Sequence, residues 1–256
     1  IKISITDNET VNILTDKFLM LSHLAKSGID VGEYFSVDKI SNFDKIAKKL
    51  GYPNKKVVFK PRYGRGSRGV LIADETQKFF TPLLPERFCG LGSIQVLQNA
   101  CEKKNIGISD YIAMPYYGGN VWDVDVLSKK GEVINVAARM RQLKNPLWPT
   151  STGHKASADS RIINYASKIS KVFNINGPSD YDIVIDENGE PKVLDAAARF
   201  SGSVGVSYVA GVNMMSQLLR FMFNMPFKKY NIIDGMLLRP YITMAPILDK
   251  HELDFL

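Results

Sequence analysis

The chain has 256 residues, of which 45% are hydrophobic and 23% are charged, values ordinary for a globular protein of one large or two small domains. No apolar run approaches the ~18 residues of a membrane span, and the N-terminus lacks the pattern of a secretion signal, so we expect a cytoplasmic protein. Two cysteines are too few for a disulfide framework, and the net charge of +7 favours anionic partners, either phosphate-bearing small molecules or nucleic acid.

Helices and strands are interspersed along the chain. Apolar spacing and capping residues predict helices over residues 15–27, 41–50, 93–104, 157–173 and 212–223. Runs rich in β-branched and aromatic residues predict strands at 31–35, 57–60, 70–73, 111–114, 121–127, 133–139, 181–185, 192–196 and 239–244. Because hairpins occur among the helices, we expect an α+β fold and not a doubly wound parallel sheet. The irregular stretch 141–156 is expected to be a functional loop.

A glycine-rich stretch, VVFKPRYGRGSRGVLIAD at residues 57–74, joins two of these strands. Gly64, Gly66 and Gly69 can adopt positive φ and let backbone N–H groups approach a ligand. The stretch matches neither the P-loop nor the dinucleotide fingerprint. We interpret it as a flap over a triphosphate, with Lys60 directed at the same phosphates. A basic surface turn is the alternative, and nucleic-acid binding is disfavoured because aromatic residues are sparse and no known nucleic-acid module is recognisable.

An acidic hairpin occupies residues 180–199, DYDIVIDENGEPKVLDAAAR, around the turn dipeptide Asn188 and Gly189. A two-residue turn there pairs Asp182 with Asp195, whose Cβ atoms are then about 4.5–5.5 Å apart. Facing carboxylates repel each other, and a bound Mg²⁺ would offset that repulsion while also binding nucleotide phosphates. We therefore predict a metal site at these two residues. The alternative is a longer turn with another register, which would leave Asp182 on the surface.

Basic and imidazole side chains near these motifs are further candidates. Arg199, after the hairpin, and Arg139, at the end of another strand, would each neutralise a transferred phosphoryl group or else be ordinary surface residues. Of the three scattered histidines, His23 is expected in or beside the core. His154 is a candidate for substrate contact, with an ordinary loop residue as the alternative. No catalytic triad or nucleophilic cysteine is evident.

Taken in order, these motifs resemble the ATP-grasp superfamily, closest to its carbamoyl-phosphate-synthase-like and carboxylate–amine ligase branches. The matching segments cover nearly the whole chain: TDKFLM with AKSGIDV, VVFKPRYGRGSRGV, YIAMPYYGGNVWDVDVL, NGEPKVLDAAARFSGS and AGVNMMSQLL. The resemblance implies two α+β subdomains with antiparallel sheets that enclose a nucleotide. It divides the chain into an N-terminal helical part at 1–50, a flap subdomain at 51–117 and a C-terminal subdomain at 118–256.

The resemblance also implies a set of ligand contacts. Mg²⁺ would be held by Asp182 and Asp195, and Arg199 and Arg139 would steady the phosphoryl group. Adenine would accept a hydrogen bond from the Tyr117 N–H and donate one to the Pro115 carbonyl. The remaining ATP contacts would come from Lys17, Lys60, Gly64, Arg65, Gly66, Ser67, Gly69, Met114 and Tyr116.

Family enzymes activate a carboxylate as an acyl phosphate, which an amine or another nucleophile attacks. The resemblance therefore implies ATP and Mg²⁺ as cofactors, a small carboxylate and an amine as substrates, and no nucleic-acid or membrane partner. The acceptor pocket is expected from residues 141–156 and 201–211. There Arg141, Lys144 and Lys155 would suit a carboxylate or would be solvated surface charges.

The sequence departs from the family pattern in three places. Ala197 stands where the family has an asparagine, so the usual third metal ligand is missing. Val121 replaces a glutamate that commonly binds ribose, which leaves Asn120 or Asp123 as substitutes. Only about fifteen residues precede Lys17, whereas the family usually has an N-terminal α/β domain there. We expect either that this part is supplied by a separate domain or subunit or that the chain is a fragment. The alternative to a ligase is a degenerate ATP-grasp domain that serves as a nucleotide-sensing or interaction module.

Overall fold

The computed structural model describes residues 6–64, 66–84, 87–142 and 153–239. The helices are α1 (Asn8–Thr15), α2 (Lys17–Lys26), α3 (Phe43–Lys49), α4 (Ile94–Lys103), α5 (Ser160–Val172), α6 (Val204–Val209) and α7 (Met214–Met222). The strands are β1 (Phe35–Val37), β2 (Val57–Pro61), β3 (Leu71–Ala73), β4 (Thr81–Pro82), β5 (Gly90–Gly92), β6 (Tyr111–Pro115), β7 (Val121–Lys129), β8 (Glu132–Arg141), β9 (His154–Ser157), β10 (Gly177–Ile185), β11 (Pro191–Ala197) and β12 (Leu237–Leu238). Within these ranges, no helix is long and apolar enough to cross a membrane.

The first sheet has the strand order β1-β6-β2-β3-β5-β4 and is antiparallel except for the parallel pair β3–β5. Helices α3 and α4 share a hydrophobic core with its inward face. Phe43 of α3 stacks on Phe59 of β2 with ring centroids 4.1 Å apart, and both side chains are fully buried. This packing fixes β2, the strand that leads into the glycine-rich stretch.

The second sheet has the order β11-β10-β7-β8-β9-β12 and is antiparallel throughout. In β7, Trp122, Val124 and Val126 belong to a core shared with α2 and α5. Successive side chains of a strand point to opposite faces, so Asp123 and Asp125 lie on the other face. The alternation thus gives this sheet one face packed on helices and one polar face.

The α+β prediction is confirmed, and the predicted helices and strands recur with shifted ends. The sequence analysis did not find α1, α6, β4, β5, β9 or β12. The strand assigned to 239–244 falls, after Arg239, outside the described residues, and so does most of the predicted 141–156 loop. His154 is not a loop residue, because it begins β9 beside Arg141 of β8.

The three-part division of the chain stays a prediction. Helices α1 and α2 contribute Leu14, Met20 and Leu21 to the core of the second sheet. Helix α3, from the same N-terminal part, packs on the first sheet. The first fifty residues therefore contribute to both cores.

Candidate functional site

A cavity of about 400 Å³ lies between the two sheets, and it brings most of the candidate residues together. Those that line it are Lys17, Lys60, Gly64, Gly66, Ser67, Met114, Pro115, Tyr116, Tyr117, Asp182, Asp195 and Arg199. Two candidates, Gly69 and Arg139, do not line it. Arg65 lies outside the described residues.

The end of the cavity next to β6 is apolar, with Val58, Ile72, Met114, Val121 and Leu194 in its wall. The Tyr116 N–H donates to the Lys56 carbonyl across the ladder, at 3.0 Å. Neighbouring residues of a strand direct their backbone groups to opposite sides. The Pro115 carbonyl, which shares a trans peptide unit with the Tyr116 N–H, therefore points away from β2, where it can accept a hydrogen bond from the edge of a flat ring.

Two lysines line the centre of the cavity. Lys17 begins α2, whose N-cap Asp16 accepts the Phe18 N–H at 2.9 Å. The Lys17 ammonium donates to the Gly64 carbonyl at 3.0 Å and lies 3.2 Å from Asp195 Oδ1. Lys60 donates to the Leu194 carbonyl at 2.6 Å. Burial, together with the nearby Lys17 charge, lowers the pKa of Lys60 to about 8.

The glycine-rich stretch is anchored to the start of α2. The Arg62 guanidinium binds both carboxylate oxygens of Asp16, with an Nε–Oδ1 distance of 3.0 Å. The Lys17 N–H also donates to the Arg62 carbonyl at 3.0 Å. Beyond this anchor, Gly64, Gly66 and Ser67 all have positive φ, at 117°, 64° and 61°. Positive φ at three places turns the chain tightly over the cavity.

Gly69 was predicted to contact ATP, but its surroundings in the structure indicate a role in packing. Its N–H donates to the Phe88 carbonyl at 2.8 Å, so this amide is already engaged inside the first sheet. Its φ is +75°, and a Cβ there would lie 2.6 Å from Tyr111 Oη and 2.8 Å from Pro61 Cγ. Glycine is required at this position by backbone conformation and close packing, and not by a ligand contact.

The acidic hairpin pairs Asp182 with Asp195 as predicted, although the predicted two-residue turn is wrong. The Asp186 N–H donates to the Glu190 carbonyl at 2.9 Å and closes a wider turn with Gly189 at φ +83°. The Asp186 carboxylate, which accepts the Glu190 N–H at 2.8 Å, stabilises this turn. A bulge between Asp182 and Ile183 then shifts the register by one residue and restores the facing aspartates.

Five carboxylates occupy two successive rows across the polar face of the second sheet. The strand register places Asp195, Asp182 and Asp123 in the first row, and Asp180 faces Asp125 in the second. The sequence analysis named Asp182 and Asp195 as metal ligands and Asp123 as a possible ribose contact, but it did not place the five together. The signal for that placement was the alternation in VWDVDV, which puts the two aspartates of β7 on one face beside those of β10.

Protein cations neutralise the first row. Arg141 binds Asp123 Oδ1 through Nε at 2.8 Å and Asp182 Oδ1 through Nη2 at 2.7 Å. His154 Nε2 lies 2.8 Å from the other oxygen of Asp123. Although burial opposes it, the His154 hydrogen bond and the Arg141 charge hold the pKa of Asp123 well below its usual range. Burial raises the pKa of Asp182 to about 6 despite Arg141, with Asp123 and Asp195 adding to the rise.

The metal site predicted at Asp182 and Asp195 stays a prediction. Within the described ranges, no group of three or more His, Cys, Asp or Glu side chains is arranged to hold a metal ion. Asp182 and Asp195 offer two carboxylates on the cavity wall, while Ala197 lines the cavity without a donor oxygen. Two carboxylates fit Mg²⁺ when phosphate oxygens and water complete its six ligands. Metal binding would then accompany nucleotide binding.

Arg139 is a correction to the sequence analysis. Its side chain is fully buried, it does not line the cavity, and it lies 2.7 Å from Asp125 Oδ2. It also donates to Ser201 Oγ at 2.8 Å and to Ser203 Oγ at 3.2 Å, and it contacts Ser207. Arg139 holds the segment after the acidic hairpin in place, and the partially buried Arg141 is the arginine of β8 that reaches the cavity.

The remaining candidates fall in three groups. Asp123 is engaged by Arg141 and His154, so it does not substitute for a ribose ligand. Asn120 and Lys155 are exposed and lie outside the cavity lining, and Lys144 lies outside the described residues. Ser201, Gly202 and Ser203 do line the cavity, and the acceptor pocket expected from 201–211 stays a prediction.

Comparison with known proteins gives a family. A family profile described as ATP-grasp in the biosynthetic pathway with Ter operon matches residues 108–238. This match spans half of the chain, and the chain therefore belongs to this ATP-grasp family. A comparison with curated protein sequences returns no match.

Solved structures with the same fold include three enzymes. An L-amino acid ligase from Bacillus licheniformis is 21% identical, with a TM-score of 0.59 over 83% of this chain and 48% of that one. An N5-carboxyaminoimidazole synthase from Aspergillus clavatus, in complex with ADP and 5-aminoimidazole ribonucleotide, is 16% identical with a TM-score of 0.67 over 88% and 55%. A biotin carboxylase from Campylobacter jejuni, in complex with an ATP species, is 17% identical with a TM-score of 0.66 over 88% and 50%. The chain spans about half the length of each.

Proposed function

We propose that the chain binds ATP and Mg²⁺ in the cavity between its sheets and activates a carboxylate as an acyl phosphate, which an amine or similar nucleophile attacks. The order of side chains along the cavity carries this proposal. Apolar groups line the end next to β6, two lysines and two facing aspartates line the centre, and Arg199 lies beyond them. This order suits the base, the triphosphate with its metal ion, and the transferred phosphoryl group of one nucleotide.

Each group has a role that follows from its position. Lys17 and Lys60 bind phosphate oxygens, because their ammonium groups are buried beside the glycine-rich stretch. Asp182 and Asp195 hold Mg²⁺, which when bound neutralises charge on the phosphates. Arg199, whose side chain is 58% exposed, steadies the transferred group. The protein thereby supplies position and charge, which are its main contributions to phosphoryl transfer.

The backbone at the end of β6 and the glycine-rich stretch complete the proposed nucleotide site. The Pro115 carbonyl and the Tyr117 N–H bind the edge of adenine, between Met114 and Tyr116. Backbone N–H groups of the glycine-rich stretch, from Gly64 through Arg65 to Ser67, cover the triphosphate. The named neighbours support this proposal, since two of them were solved with ADP or an ATP species.

A domain or subunit beyond this chain is the source we propose for the rest of the acceptor site. The support is length: the similar enzymes are about twice as long as the part that this chain matches. The substrates we propose, a small carboxylate and an amine, would then meet between that part and the segment around Ser201. The division at residues 50 and 117 belongs to the same proposal.

A second candidate function is a nucleotide-binding module without catalysis. Two observations favour it: Ala197 supplies no third ligand, and cations of the protein bind both Asp182 and Asp195. Such a module would bind nucleotide through its lysines with little help from metal. The two candidates therefore differ in the effect of Mg²⁺ on nucleotide affinity.

Calorimetric titration with ADP, with and without Mg²⁺, tests the proposal. We expect Mg²⁺ to tighten binding at least tenfold in the unaltered protein. Asp182→Asn and Asp195→Asn should each remove most of that gain, because each loses a carboxylate ligand. Asp44→Asn is the matched control, since Asp44 lies on α3 and pairs with Lys48 far from the cavity lining.

Each outcome has a defined meaning. If Mg²⁺ leaves the ADP affinity of the unaltered protein unchanged, the module is favoured. If Mg²⁺ tightens ADP binding equally in the unaltered protein and in both cavity variants, the aspartates are not the metal ligands. If neither ADP nor ATP binds under any condition, both proposals are wrong.

A further inference from the structure

Between its apolar end and the first row of carboxylates, the cavity is bordered by a valine. Val121 begins β7, and its side chain is buried in the cavity wall. Asp123 lies two residues further along the strand, so both side chains are on the same face of the sheet. The neighbouring strand β10 places Val184 opposite Val121 and Asp182 opposite Asp123. Because a step of two residues advances by about 7 Å, Val121 lies about 7 Å from the first row, on the side of the apolar end.

This position corresponds to the sugar of the nucleotide in the proposed site. There, adenine occupies the apolar end beside Pro115, and the phosphates with Mg²⁺ lie at Asp182. The sugar of a nucleotide joins its base to its first phosphate, so the sugar lies beside Val121.

The carboxylates of the cavity have other partners or lie elsewhere. Among the described residues that line the cavity there is no Glu, Asn, Gln or His, and the carboxylates belong to Asp123, Asp180, Asp182 and Asp195. Arg141 binds one oxygen of Asp123 and His154 contacts the other. Asp180 lies in the second row, one step further from the base. The remaining two are the proposed metal ligands, so none of the four is placed to bind a sugar hydroxyl.

Two tyrosines at the apolar end also direct their rings elsewhere. The Tyr117 hydroxyl is buried against Gly32, where a Cβ would lie 2.1 Å from its oxygen. This oxygen therefore has no surface toward the cavity. A Cβ on Gly118 would lie 3.9 Å from Tyr116 Cε1, so the Tyr116 ring lies along the exposed turn between β6 and β7.

Given the position of the sugar in the proposed function, on which this inference rests, we propose that the site does not select for the ribose 2′-hydroxyl. Nucleotides of 2′-deoxyadenosine then bind as tightly as those of adenosine, and Val121 determines this lack of selection. A valine side chain has neither a donor nor an acceptor for a hydroxyl. A hydroxyl buried against it would lose its hydrogen bonds to water, which would favour the deoxy form. Selection of the nucleotide depends on its base and its phosphates.

Calorimetric titration of the whole chain with Mg-ADP and with Mg-2′-deoxy-ADP tests the inference. We expect the two dissociation constants to agree within about threefold, or the deoxy nucleotide to bind more tightly. A hydrogen bond from the 2′-hydroxyl to a charged group of the protein would instead favour ADP by about tenfold or more. A preference for ADP greater than threefold therefore overturns the inference.

A substitution at Val121 tests whether this residue borders the sugar. Val121→Glu adds a carboxylate that can accept hydrogen bonds from the sugar hydroxyls, so it should favour ADP over the deoxy nucleotide by at least tenfold. Val121→Gln, which has the same reach without the charge, should favour ADP by at least threefold. Val209→Glu adds the same charge at an exposed valine of α6 outside the cavity lining, and it should leave the ratio of the two dissociation constants unchanged.

Thermal melting of each variant confirms that it is folded. If the folded Val121 variants bind both nucleotides alike, Val121 does not border the sugar and its assigned role is wrong. If Mg-ADP binds but is preferred more than threefold by the unaltered protein, the inference fails and the proposed function is untouched. If neither nucleotide binds, the proposed function fails and the inference fails with it.

Discussion

Lys60 gives the sharpest quantitative prediction, because its charge is buried at a cost to the ligand-free fold. Its folded-state pKa of about 8 lies below the value of 10.5 for an ordinary lysine. Between these two values the unfolded chain binds more protons than the folded chain, so stability rises with pH across that window. The charged side chain therefore costs the fold about 3 kcal/mol at pH 7 and about 2 kcal/mol at pH 9.

Replacing Lys60 by methionine removes that cost and also the hydrogen bond to the Leu194 carbonyl, which is worth about 1 kcal/mol. We therefore expect Lys60→Met to stabilise the ligand-free protein by about 2 kcal/mol at pH 7 and by about 1 kcal/mol at pH 9. Urea unfolding followed by circular dichroism at both pH values measures this. Lys48→Met, on an exposed lysine of α3, is the matched control and should change stability by less than about 0.5 kcal/mol.

Nucleotide binding supplies a second measurement of the same charge. Phosphate oxygens next to Lys60 raise its pKa again, so at pH 8.5 binding of Mg-ADP should take up about 0.8 of a proton. Calorimetry in two buffers of different ionisation enthalpy measures that uptake, which Lys60→Met should abolish. If Lys60→Met instead destabilises the protein at pH 7, or if its effect is equal at pH 7 and 9, the reasoning is refuted.

Two further substitutions test the packing around the site. Arg139→Met should destabilise the protein by about 3–5 kcal/mol in urea unfolding, because it leaves Asp125 buried without its cation. The control Arg161→Met, which breaks an exposed ion pair, should cost less than about 1 kcal/mol. Equal losses in the two variants would contradict a special role for Arg139. Gly69→Ala should lower stability by about 1–3 kcal/mol in a thermal melt, because the alanine would need a positive φ and its Cβ would lie close to two side-chain atoms. The control Gly205→Ala in α6, where a Cβ would have open space around it, should be neutral or stabilising. A neutral Gly69→Ala would overturn the packing argument.

Local pattern was enough to predict most of the fold. The predicted strands and helices recur because their apolar periodicity coincides with burial in the structure, as in α5, where Ile162, Ala166 and Ile169 all face the core. Most of the elements that were missed are short, although the eight-residue helix α1 was missed as well. A two-residue strand such as Leu237–Leu238 has no periodicity of its own and exists only because a neighbouring strand supplies its partners.

The candidate site could be predicted as a set of motifs, but its internal pairing could not. Arg139 and Arg141 are two residues apart on one strand, so their side chains lie on the same face of the sheet. Only the tertiary structure determines that Arg139 is buried and that Arg141 reaches the cavity. Asp180 was passed over for a similar reason. Its sequence neighbourhood gives no sign that one of its oxygens is buried without a hydrogen-bond partner among the residues that the structure describes.

The bulge at Leu194 separates the two ends of the acidic hairpin. The register that aligns Asp182 with Asp195 is restored on the cavity side of the bulge, and the pairing between Ile185 and Pro191 on the other side follows the turn. Insertions at the tip, around Asn188, would therefore lengthen a solvent-exposed loop without moving either aspartate. The hairpin tip is a place where length can vary during evolution, or where a reporter group can be inserted, while the geometry of the cavity is preserved.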